Sequence, residues 1–253
     1  MSNQYPDLAR QVVFVTGAAS GIGEAQAHAF LAQDAFVFGF DRQAGKMATV
    51  AQHFPDQFAF FVGDIRDQAS VEQAVKQCHE HFGTVTILLN TAGILDDYKP
   101  LLETSEDLWE NIYETNVKSM FRVTKVLLPE MLAQQAGVII NMASIAGLVA
   151  GGGGIAYTSA KHAIVGFTKQ LALDYAAKGI RIKAIAPGAI ETPMNAADFA
   201  GTGEMAQWVA DETPVKRWAK PEEVAELTLF LATPQASYIQ GAVVPIDGGW
   251  LLK

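Results

Sequence analysis

Short apolar runs alternate along the chain with longer segments of helical periodicity. Seven runs rich in Val, Ile and Phe predict strands: VVFVT (12–16), AFVFGF (35–40), FAFFVG (58–63), VTILLN (85–90), GVIINMAS (137–144), IRIKAIA (180–186) and AVVPID (242–247). Because these runs are continuously apolar rather than alternating, we expect strands that are buried on both faces. The pattern therefore predicts an α/β fold with a doubly wound, mostly parallel sheet of about seven strands and helices on both faces.

One segment departs from this rhythm. Residues 188–220 mix turn signals with Met, Phe and Trp, a composition typical of a lid over a functional site in a compact α/β domain. No internal repeat, low-complexity tract or shift in composition marks a boundary elsewhere. Residues 1–253 are therefore expected to form a single domain with a lid within about 188–220.

Charge and composition argue against several classes of partner. The formal net charge is -9 and no Lys/Arg cluster is present, so neither nucleic acid nor an anionic membrane is an expected partner. No apolar run approaches the ~18 residues that span a bilayer, and MSNQYPDLAR lacks the order of a signal peptide. The single Cys78 excludes an internal disulfide framework and a multi-cysteine metal site. We expect a cytoplasmic protein without a metal.

A glycine-rich turn follows the first predicted strand. In TGAASGIG, Gly17 permits a tight turn, Gly21 lets the backbone approach a pyrophosphate, and Gly23 allows a helix to pack closely on the strand. Ser20 and Ile22 complete this loop, and the N-terminus of the following helix would face the anion. Three residues separate the first two glycines, which differs from the common dinucleotide pattern, so an ordinary strand-to-helix turn is the alternative.

An acidic residue ends the second predicted strand. Asp41, in FGFDR, is placed where a carboxylate accepts hydrogen bonds from the adenosine ribose hydroxyls, although a helix N-cap would also explain it. A carboxylate there repels a 2′-phosphate, and residues 18–20 supply no cation. NAD(H) is therefore preferred over NADP(H), while Arg42 leaves NADP(H) open.

Two further strand ends carry candidate cofactor contacts. Asp64 and Ile65, in VGDIRD, follow the third strand and could contact the adenine edge, although Asp64 could equally cap the next helix. The turn NTAG ends the fourth strand at the same carboxyl edge, where open α/β sheets bind ligands. It contributes Asn90, Ala92 and Gly93 as candidates.

A serine, a tyrosine and a lysine are predicted to meet beside this cofactor site. Tyr157 and Lys161 are four residues apart in a helix-patterned segment, so their side chains share one face. Ser144 ends the fifth strand, and the glycine-rich residues 147–154 could return the chain so that all three surround one point. A packed ring and lysine stem is the alternative for the helical pair.

These motifs together resemble the short-chain dehydrogenase/reductase family. TGAASGIG, NTAG, Ser144 with YTSAK, and PGAIETP occur in the family's order, and the resemblance continues to the terminal IDGGW. It implies a Rossmann-type fold and an NAD(H)-dependent oxidoreductase that interconverts a secondary alcohol and a ketone. The implied catalytic set is Ser144, Tyr157 and Lys161, with Asn116 of ETNVKS as its fourth member.

The resemblance also implies roles for these side chains. Tyr157 would be the general acid/base, and its pKa, about 10 when unperturbed, would be lowered by Lys161 and an oxidised nicotinamide. Ser144 would hold the substrate oxygen, Lys161 would also bind the nicotinamide ribose, and Asn116 would maintain a water-mediated proton path.

In PGAIETP, the resemblance implies four more cofactor contacts. Pro187 and Gly188 would turn the chain beneath the nicotinamide, Ile190 would offer its backbone to the carboxamide, and Thr192 would hydrogen-bond that group or a phosphate. A plain turn explains Thr192 alone about as well.

Apolar side chains near the catalytic strand and in the lid are candidates for a substrate wall. Ile145 and Met194 are assigned to it beside Ser144 and Tyr157, while Phe199, Met205 and Trp208 either join it or pack the lid onto the body. The substrate is expected to be a small molecule. The resemblance further implies a homotetramer.

Two other functions compete with this interpretation. A 3-oxoacyl-acyl-carrier-protein reductase would use NADPH, which Asp41 disfavours, and a non-enzymatic dinucleotide-sensing regulator would be expected to lack part of the catalytic set. Two positions depart from many relatives, which have asparagine where this chain has Thr91 and Lys183.

Overall fold

A computed structural model describes residues 5–252, whose strands form one seven-stranded parallel sheet. The strands are β1 (Val12–Thr16), β2 (Phe36–Asp41), β3 (Phe58–Val62), β4 (Ile87–Asn90), β5 (Gly137–Met142), β6 (Ile180–Pro187) and β7 (Val243–Ile246). Their order across the sheet is β3-β2-β1-β4-β5-β6-β7. Each strand lies within two residues of the bounds predicted from its apolar run, so the α/β prediction is confirmed.

Eight α-helices accompany these strands in the described part of the chain. They are α1 (Gly21–Leu31), α2 (Met47–His53), α3 (Gln68–Phe82), α4 (Glu106–Tyr113), α5 (Ser119–Gln134), α6 (Ile155–Tyr175), α7 (Glu204–Glu212) and α8 (Pro221–Ala232). Helices α1, α2 and α8 contribute to one apolar core, and α3, α5 and α6 to another. Between residues 5 and 252, no helix combines the length and the apolar character needed to cross a bilayer.

The continuous apolar character of the strands follows from these two cores. In β1, Val13 and Val15 belong to the core with α1 and α8, whereas Val12 and Phe14 belong to the core with α3 and α5. Successive side chains of a strand point to opposite faces, so a strand covered on both sides needs apolar residues at every position.

Two cations from β6 cap the C-terminus of α8. Lys183 Nζ donates to the Leu231 carbonyl at 2.7 Å, and Arg181 Nη2 donates to the Ala232 carbonyl at 2.9 Å. Carbonyls at a helix C-terminus lack intrahelical partners and favour cations, which explains why α8 ends against these side chains. Helix α8 packs on α1, and α1 begins in the glycine-rich loop. By holding the end of α8, the cap therefore also supports α1 and this loop.

Lys183 sits in this cap without any exposed surface. Its burial, together with the nearby Arg181 charge, lowers the pKa of the Lys183 amine from 10.5 to about 8. The unfolded chain therefore binds this proton more tightly than the folded chain does, and the buried ammonium costs stability below pH 8. That cost disappears as the pH rises from about 8 to 10.5.

Replacing Lys183 by Met should therefore stabilise the protein at pH 7 more than at pH 10. Relative to the wild type, we expect the free energy of unfolding of Lys183→Met to be about 1 to 2 kcal/mol more favourable at pH 7 than at pH 10, because the lost hydrogen bond to the Leu231 carbonyl weighs on both values while the buried charge weighs mainly on the first. Denaturant unfolding at both pH values measures the difference. Lys76→Met, at an exposed site on α3, is the control and should show no such pH dependence. If the free energies of unfolding of Lys183→Met and the wild type differed by the same amount at both pH values, the burial argument would be contradicted.

Candidate active site

A cavity of about 820 Å³ lies at the carboxyl edge of the sheet. Its wall is formed by the loops that follow β1, β2, β4, β5 and β6, together with residues of the lid. Most of the residues predicted from the sequence line it: Gly17, Ser20, Gly21, Ile22, Gly23, Asp41, Ala92, Gly93, Ser144, Ile145, Tyr157, Lys161, Pro187, Gly188, Ile190, Thr192 and Met194. The fold therefore brings the predicted phosphate loop and the predicted catalytic side chains to one space.

Four predicted residues lie outside this lining. The Asp64 carboxylate pairs with Arg66 at 2.7 Å, and this hydrogen-bonded guanidinium lowers the pKa of Asp64. Ile65 packs against the core beneath α3 and α5. Asn90 is buried, with Nδ2 donating to Asn141 Oδ1 at 2.9 Å. Asn116 lies behind the turn that follows β4.

The glycines of the phosphate loop are required by close contacts. A Cβ on Gly23 would lie 2.1 Å from the Gly17 carbonyl oxygen, so any side chain there would force the loop open. Gly17 has φ 72° and a Cβ on it would lie 2.9 Å from Ala92 Cα. Helix α1 begins at Gly21, and its N-cap Ser20 makes no side-chain cap hydrogen bond. The loop therefore presents helix N-terminal N–H groups at the cavity, a geometry that fits a dinucleotide pyrophosphate.

Asp41 is held in place at the end of β2. Its Oδ2 accepts from Ala19 N at 3.1 Å and its Oδ1 accepts from Gln43 N at 3.1 Å. Helix α2 has Lys46 at its N-cap, so Asp41 does not serve as the cap of that helix. The fixed carboxylate keeps acceptor capacity toward the cavity, which fits ribose hydroxyls. Arg42 lines the same part of the cavity.

Ser144, Tyr157 and Lys161 form one buried cluster. Tyr157 and Lys161 lie in the first two turns of α6, and Lys161 Nζ is 5.3 Å from the centroid of the Tyr157 ring. The Tyr157 phenol is hydrogen-bonded to Ser144, whose hydroxyl also accepts from Ala146 N. Lys161 Nζ donates to the Met142 carbonyl at 2.8 Å. The end of β5 therefore orients both Ser144 and Lys161 toward the phenol.

Burial shifts the two titratable groups of this cluster toward their neutral forms. Burial raises the pKa of Tyr157 to about 12, although the hydrogen bond with Ser144 opposes the shift. Burial likewise lowers the pKa of Lys161 to about 7. Loss of solvation is the largest influence on the pKa of Tyr157 in the protein by itself. The expectation that Lys161 and an oxidised nicotinamide together lower this pKa concerns the protein with its cofactor and stays a prediction.

Asn116 ties the turn after β4 to the helix that follows α4. It lies in a π-helical turn, Glu114–Lys118, a feature frequent at functional sites. Its Oδ1 accepts from Ile94 N at 2.8 Å, and its Nδ2 donates to the Ile94 carbonyl at 2.9 Å. A Cβ on Gly93 would lie 3.3 Å from Asn116 Oδ1 and 3.8 Å from Lys161 Nζ. A side chain at position 93 would therefore crowd Asn116, and it would touch Lys161 at an ordinary contact distance.

The Thr91 side chain has a hydrogen-bond partner inside the fold. Thr91 Oγ1 donates to Gln26 Oε1 at 2.6 Å, and Gln26 Nε2 donates to Thr228 Oγ1 at 2.9 Å. The departure from asparagine at position 91 is therefore accommodated by a chain of hydrogen bonds that reaches α8.

Sequence reasoning missed Asp96, which lies beside the cluster of Ser144, Tyr157 and Lys161. Its carboxylate is fully buried and contacts the start of α6. The only local signal was LDDY directly after the NTAG turn, and nothing in that string separates the buried Asp96 from the exposed Asp97.

Residues of the segment predicted as a lid line one side of the cavity, mostly with apolar and aromatic side chains. We call this part the lid side; its lining residues beyond those given above are Leu95, Tyr98, Asp198, Met205, Trp208, Val209, Trp218 and Trp250. The candidates Met205 and Trp208 thus face the cavity. Phe199 is absent from the lining and packs on Trp218 with ring centroids 4.8 Å apart.

The base of the lid is closed by backbone pairing. Glu191 N donates to the Ala219 carbonyl at 2.9 Å and Ala219 N donates to the Ala189 carbonyl at 3.0 Å. Within the lid, Trp218 Nε1 donates to the Ala206 carbonyl at 2.8 Å. The segment between residues 191 and 219 therefore leaves the body and returns to it at one point.

Known proteins resemble this chain over nearly its full length. A family described as enoyl-(acyl carrier protein) reductase matches residues 17–251. The chain is 34% identical to the 3-oxoacyl-[acyl-carrier-protein] reductase FabG of Thermotoga maritima, over 97% of this chain and 99% of that protein. It is 36% identical to 3beta-hydroxysteroid dehydrogenase 2 of Eggerthella lenta, over 97% and 96%. An actinorhodin polyketide ketoreductase variant solved with NADPH superposes with a TM-score of 0.90 at 31% identity, covering 98% and 99%.

Proposed function

Because this chain belongs to the short-chain dehydrogenase/reductase family, whose members oxidise CH–OH groups or reduce keto groups with NAD(P), we propose that it interconverts a secondary alcohol and a ketone with NAD(H). One observation carries the proposal. The buried cluster of Ser144, Tyr157 and Lys161 opens into the same cavity as the phosphate loop and Asp41. We propose that residues 1–253 act as one dinucleotide-binding domain, with residues 188–220 as the substrate lid.

The nicotinamide, when bound, accepts or supplies the hydride. The protein's own groups position the substrate and move the proton. In our proposal the Ser144 hydroxyl and the Tyr157 phenol both hydrogen-bond the substrate oxygen, and Tyr157 exchanges the proton with it. Lys161 holds the nicotinamide ribose, and Asn116 keeps the surrounding backbone in place so that a water can reach Lys161.

The neutral phenol of Tyr157 suits the reduction of a ketone. With its pKa raised to about 12, Tyr157 carries a proton at neutral pH and can donate it to the ketone oxygen as the hydride arrives. Oxidation of an alcohol instead requires phenolate, which the positive charge of an oxidised nicotinamide would favour. We therefore expect the oxidation rate to rise with pH well into the alkaline range.

The environment of Asp41 supports NAD(H) as the cofactor. Two backbone N–H groups fix its carboxylate where a 2′-phosphate would have to lie, and the phosphate loop itself contains no cation. Lys46, the lysine nearest to this site in the cavity wall, already pairs with Glu24 at 3.0 Å. Arg42 is the group through which NADP(H) could still bind.

The lid side of the cavity supports an uncharged, largely apolar substrate. Apart from Lys161, no Arg or Lys of the described chain contributes to that part of the lining, whereas three tryptophans and two methionines do. A ring-bearing alcohol, like the hydroxysteroid named for the Eggerthella lenta relative, fits such a wall.

The second candidate is a 3-oxoacyl-acyl-carrier-protein reductase that uses NADPH. The similarity to the Thermotoga maritima FabG over almost the whole chain favours it. It requires that the attraction of Arg42 for the 2′-phosphate of NADPH exceed the repulsion by Asp41. It also requires that the carrier protein dock beyond the lid side.

We further propose that the protein is a cytoplasmic homotetramer. The proposal follows the family resemblance, and it agrees with apolar side chains exposed on the outer faces of two helices, Phe121 on α5 and Leu173 on α6.

A panel of carbonyl substrates tests the proposed function. Steady-state reduction of small ketones, cyclic and steroid ketones, diketones and a 3-oxoacyl thioester is measured with NADH and separately with NADPH. We expect turnover of uncharged ketones with NADH. NADPH-dependent turnover of the thioester alone would establish the second candidate, and inactivity on every ketone with both cofactors would refute the first.

Replacing Tyr157 by Phe should remove the proton donor while leaving the cavity intact. We expect kcat to fall by about 10²- to 10⁴-fold and the Kd for NADH, from fluorescence titration, to stay within about twofold. Tyr175→Phe, at the far end of the same helix, is the matched control. Retention of wild-type kcat in Tyr157→Phe would rule out the assigned role.

Replacing Asp41 by Ala should weaken the preference for NADH. A hydrogen bond to a charged group is worth about 1.5–3 kcal/mol, so the ratio of kcat/KM for NADH to that for NADPH should fall by roughly 10- to 100-fold. Asp56→Ala removes an exposed acid nearby in sequence and should leave the ratio unchanged. An unaltered ratio in Asp41→Ala would mean that another group selects the cofactor.

A further inference from the structure

Asp96 is a fully buried carboxylate whose two oxygens both accept hydrogen bonds from the start of α6. Oδ1 accepts from Gly154 N and Oδ2 accepts from Tyr157 N, each at 2.8 Å. These donors are separated from Asp96 by 58 and 61 residues, so the contact joins two distant segments. An ionised carboxylate can accept at both oxygens, whereas the corresponding amide would turn a donor toward one of these N–H groups.

This contact replaces a cap that the helix itself lacks. The N-cap of α6 is Gly154, which has no side chain to accept from the first N–H groups of the helix. The loop after β4 supplies the missing acceptors: Asp96 bonds two of the N–H groups, and the Lys99 carbonyl accepts from Ile155 N at 3.2 Å. The negative charge is also favourable at a helix N-terminus.

Glycine at position 154 lets the Asp96 carboxylate approach the start of α6. A Cβ on Gly154 would lie 2.6 Å from Asp96 Oδ2 and 2.7 Å from the Lys99 backbone, so only glycine admits the carboxylate. The segment before it, Gly151 to Gly153, has no side chains with which to fix the helix start. The position of the first turn of α6 therefore depends on contacts from outside that segment.

Tyr157 belongs to this first turn, and its own backbone N–H is one of the two donors to Asp96. We propose that Asp96 is a positioning residue, which clamps the start of α6 so that the Tyr157 phenol stays against Ser144 and the cavity. The inference rests on the proposed function for its kinetic consequence, but the clamp itself is independent of it. Since Asp96 touches neither substrate nor cofactor in this account, its loss should affect turnover rather than cofactor binding.

The variant Asp96→Asn tests the clamp, with Asp97→Asn as its matched control. Asp97 is the exposed neighbour, and asparagine tolerates its positive φ of 55°. For Asp96→Asn we expect kcat to fall at least tenfold, with the Kd for NADH and the KM for the ketone each within about threefold. Amide hydrogen exchange of residues 154–158 should become faster. Asp97→Asn should match the wild type in all four measurements.

A second variant, Gly154→Ala, tests the same proposal in case Asp96→Asn does not fold. Gly154→Ala keeps the Asp96 side chain but displaces both its carboxylate and the Lys99 backbone from the start of the helix, and it should show the same loss of kcat with the same rise in exchange at residues 154–158. Faster exchange with an unchanged kcat in these variants would reduce Asp96 to a simple helix cap and overturn the proposal. Unchanged exchange would overturn the clamp itself.

If the proposed function is wrong, the measurements give a different set of results from those expected if only the clamp is wrong. If the wild type reduces no ketone with either cofactor, the reaction is wrongly assigned, but the exchange measurement still decides the clamp. Faster exchange of residues 154–158 in Asp96→Asn, with NADH binding retained, would then support the clamp without the reaction. Slow exchange in the same variant would refute the clamp.

Discussion

The parallel pairing of β1, β4 and β5 is the constraint on which the site depends. Leu88 of β4 pairs with Phe14 of β1 and Ile139 of β5, so the three strands end at one edge of the sheet. There the Thr16 hydroxyl accepts from Thr91 N at 2.9 Å and from Ala92 N at 3.0 Å, which ties the phosphate loop to the turn after β4. A shift of register between these strands would separate the glycine-rich loop from the cluster of Ser144, Tyr157 and Lys161.

The sequence was sufficient for the features that depend on local pattern. Continuous apolar runs predicted the strands because burial on both faces leaves no polar positions, and glycine spacing predicted a tight turn before α1 because close backbone contacts admit no side chain. The four-residue spacing predicted that Tyr157 and Lys161 would lie together. These predictions need only the geometry of one element and its neighbours.

Features that depend on burial by distant segments were not predictable in this way. The acidic pair at positions 96 and 97 looks uniform in the sequence, yet one carboxylate is enclosed by α6 and the other is exposed. Likewise the pKa of Tyr157 is governed by solvent exclusion from several elements, and the lysine four residues away does not offset it. Lys183 interrupts an apolar strand for a reason that only the end of α8 reveals.

The base of the lid is closed by backbone pairing, so a change of sequence inside the lid can have a different effect from a change in the sheet. The two ends of the segment from 191 to 219 meet at one backbone pairing, and its middle contacts the loop after β7 through Val215 N and the Gly248 carbonyl, so insertions between these contacts need not propagate to the sheet. The residues that line this side of the cavity can therefore change while Ser144, Tyr157 and Lys161 keep their positions. A family with one reaction and many substrates is the expected evolutionary outcome, and this segment is the natural place to exchange when the selectivity of the enzyme is to be redesigned.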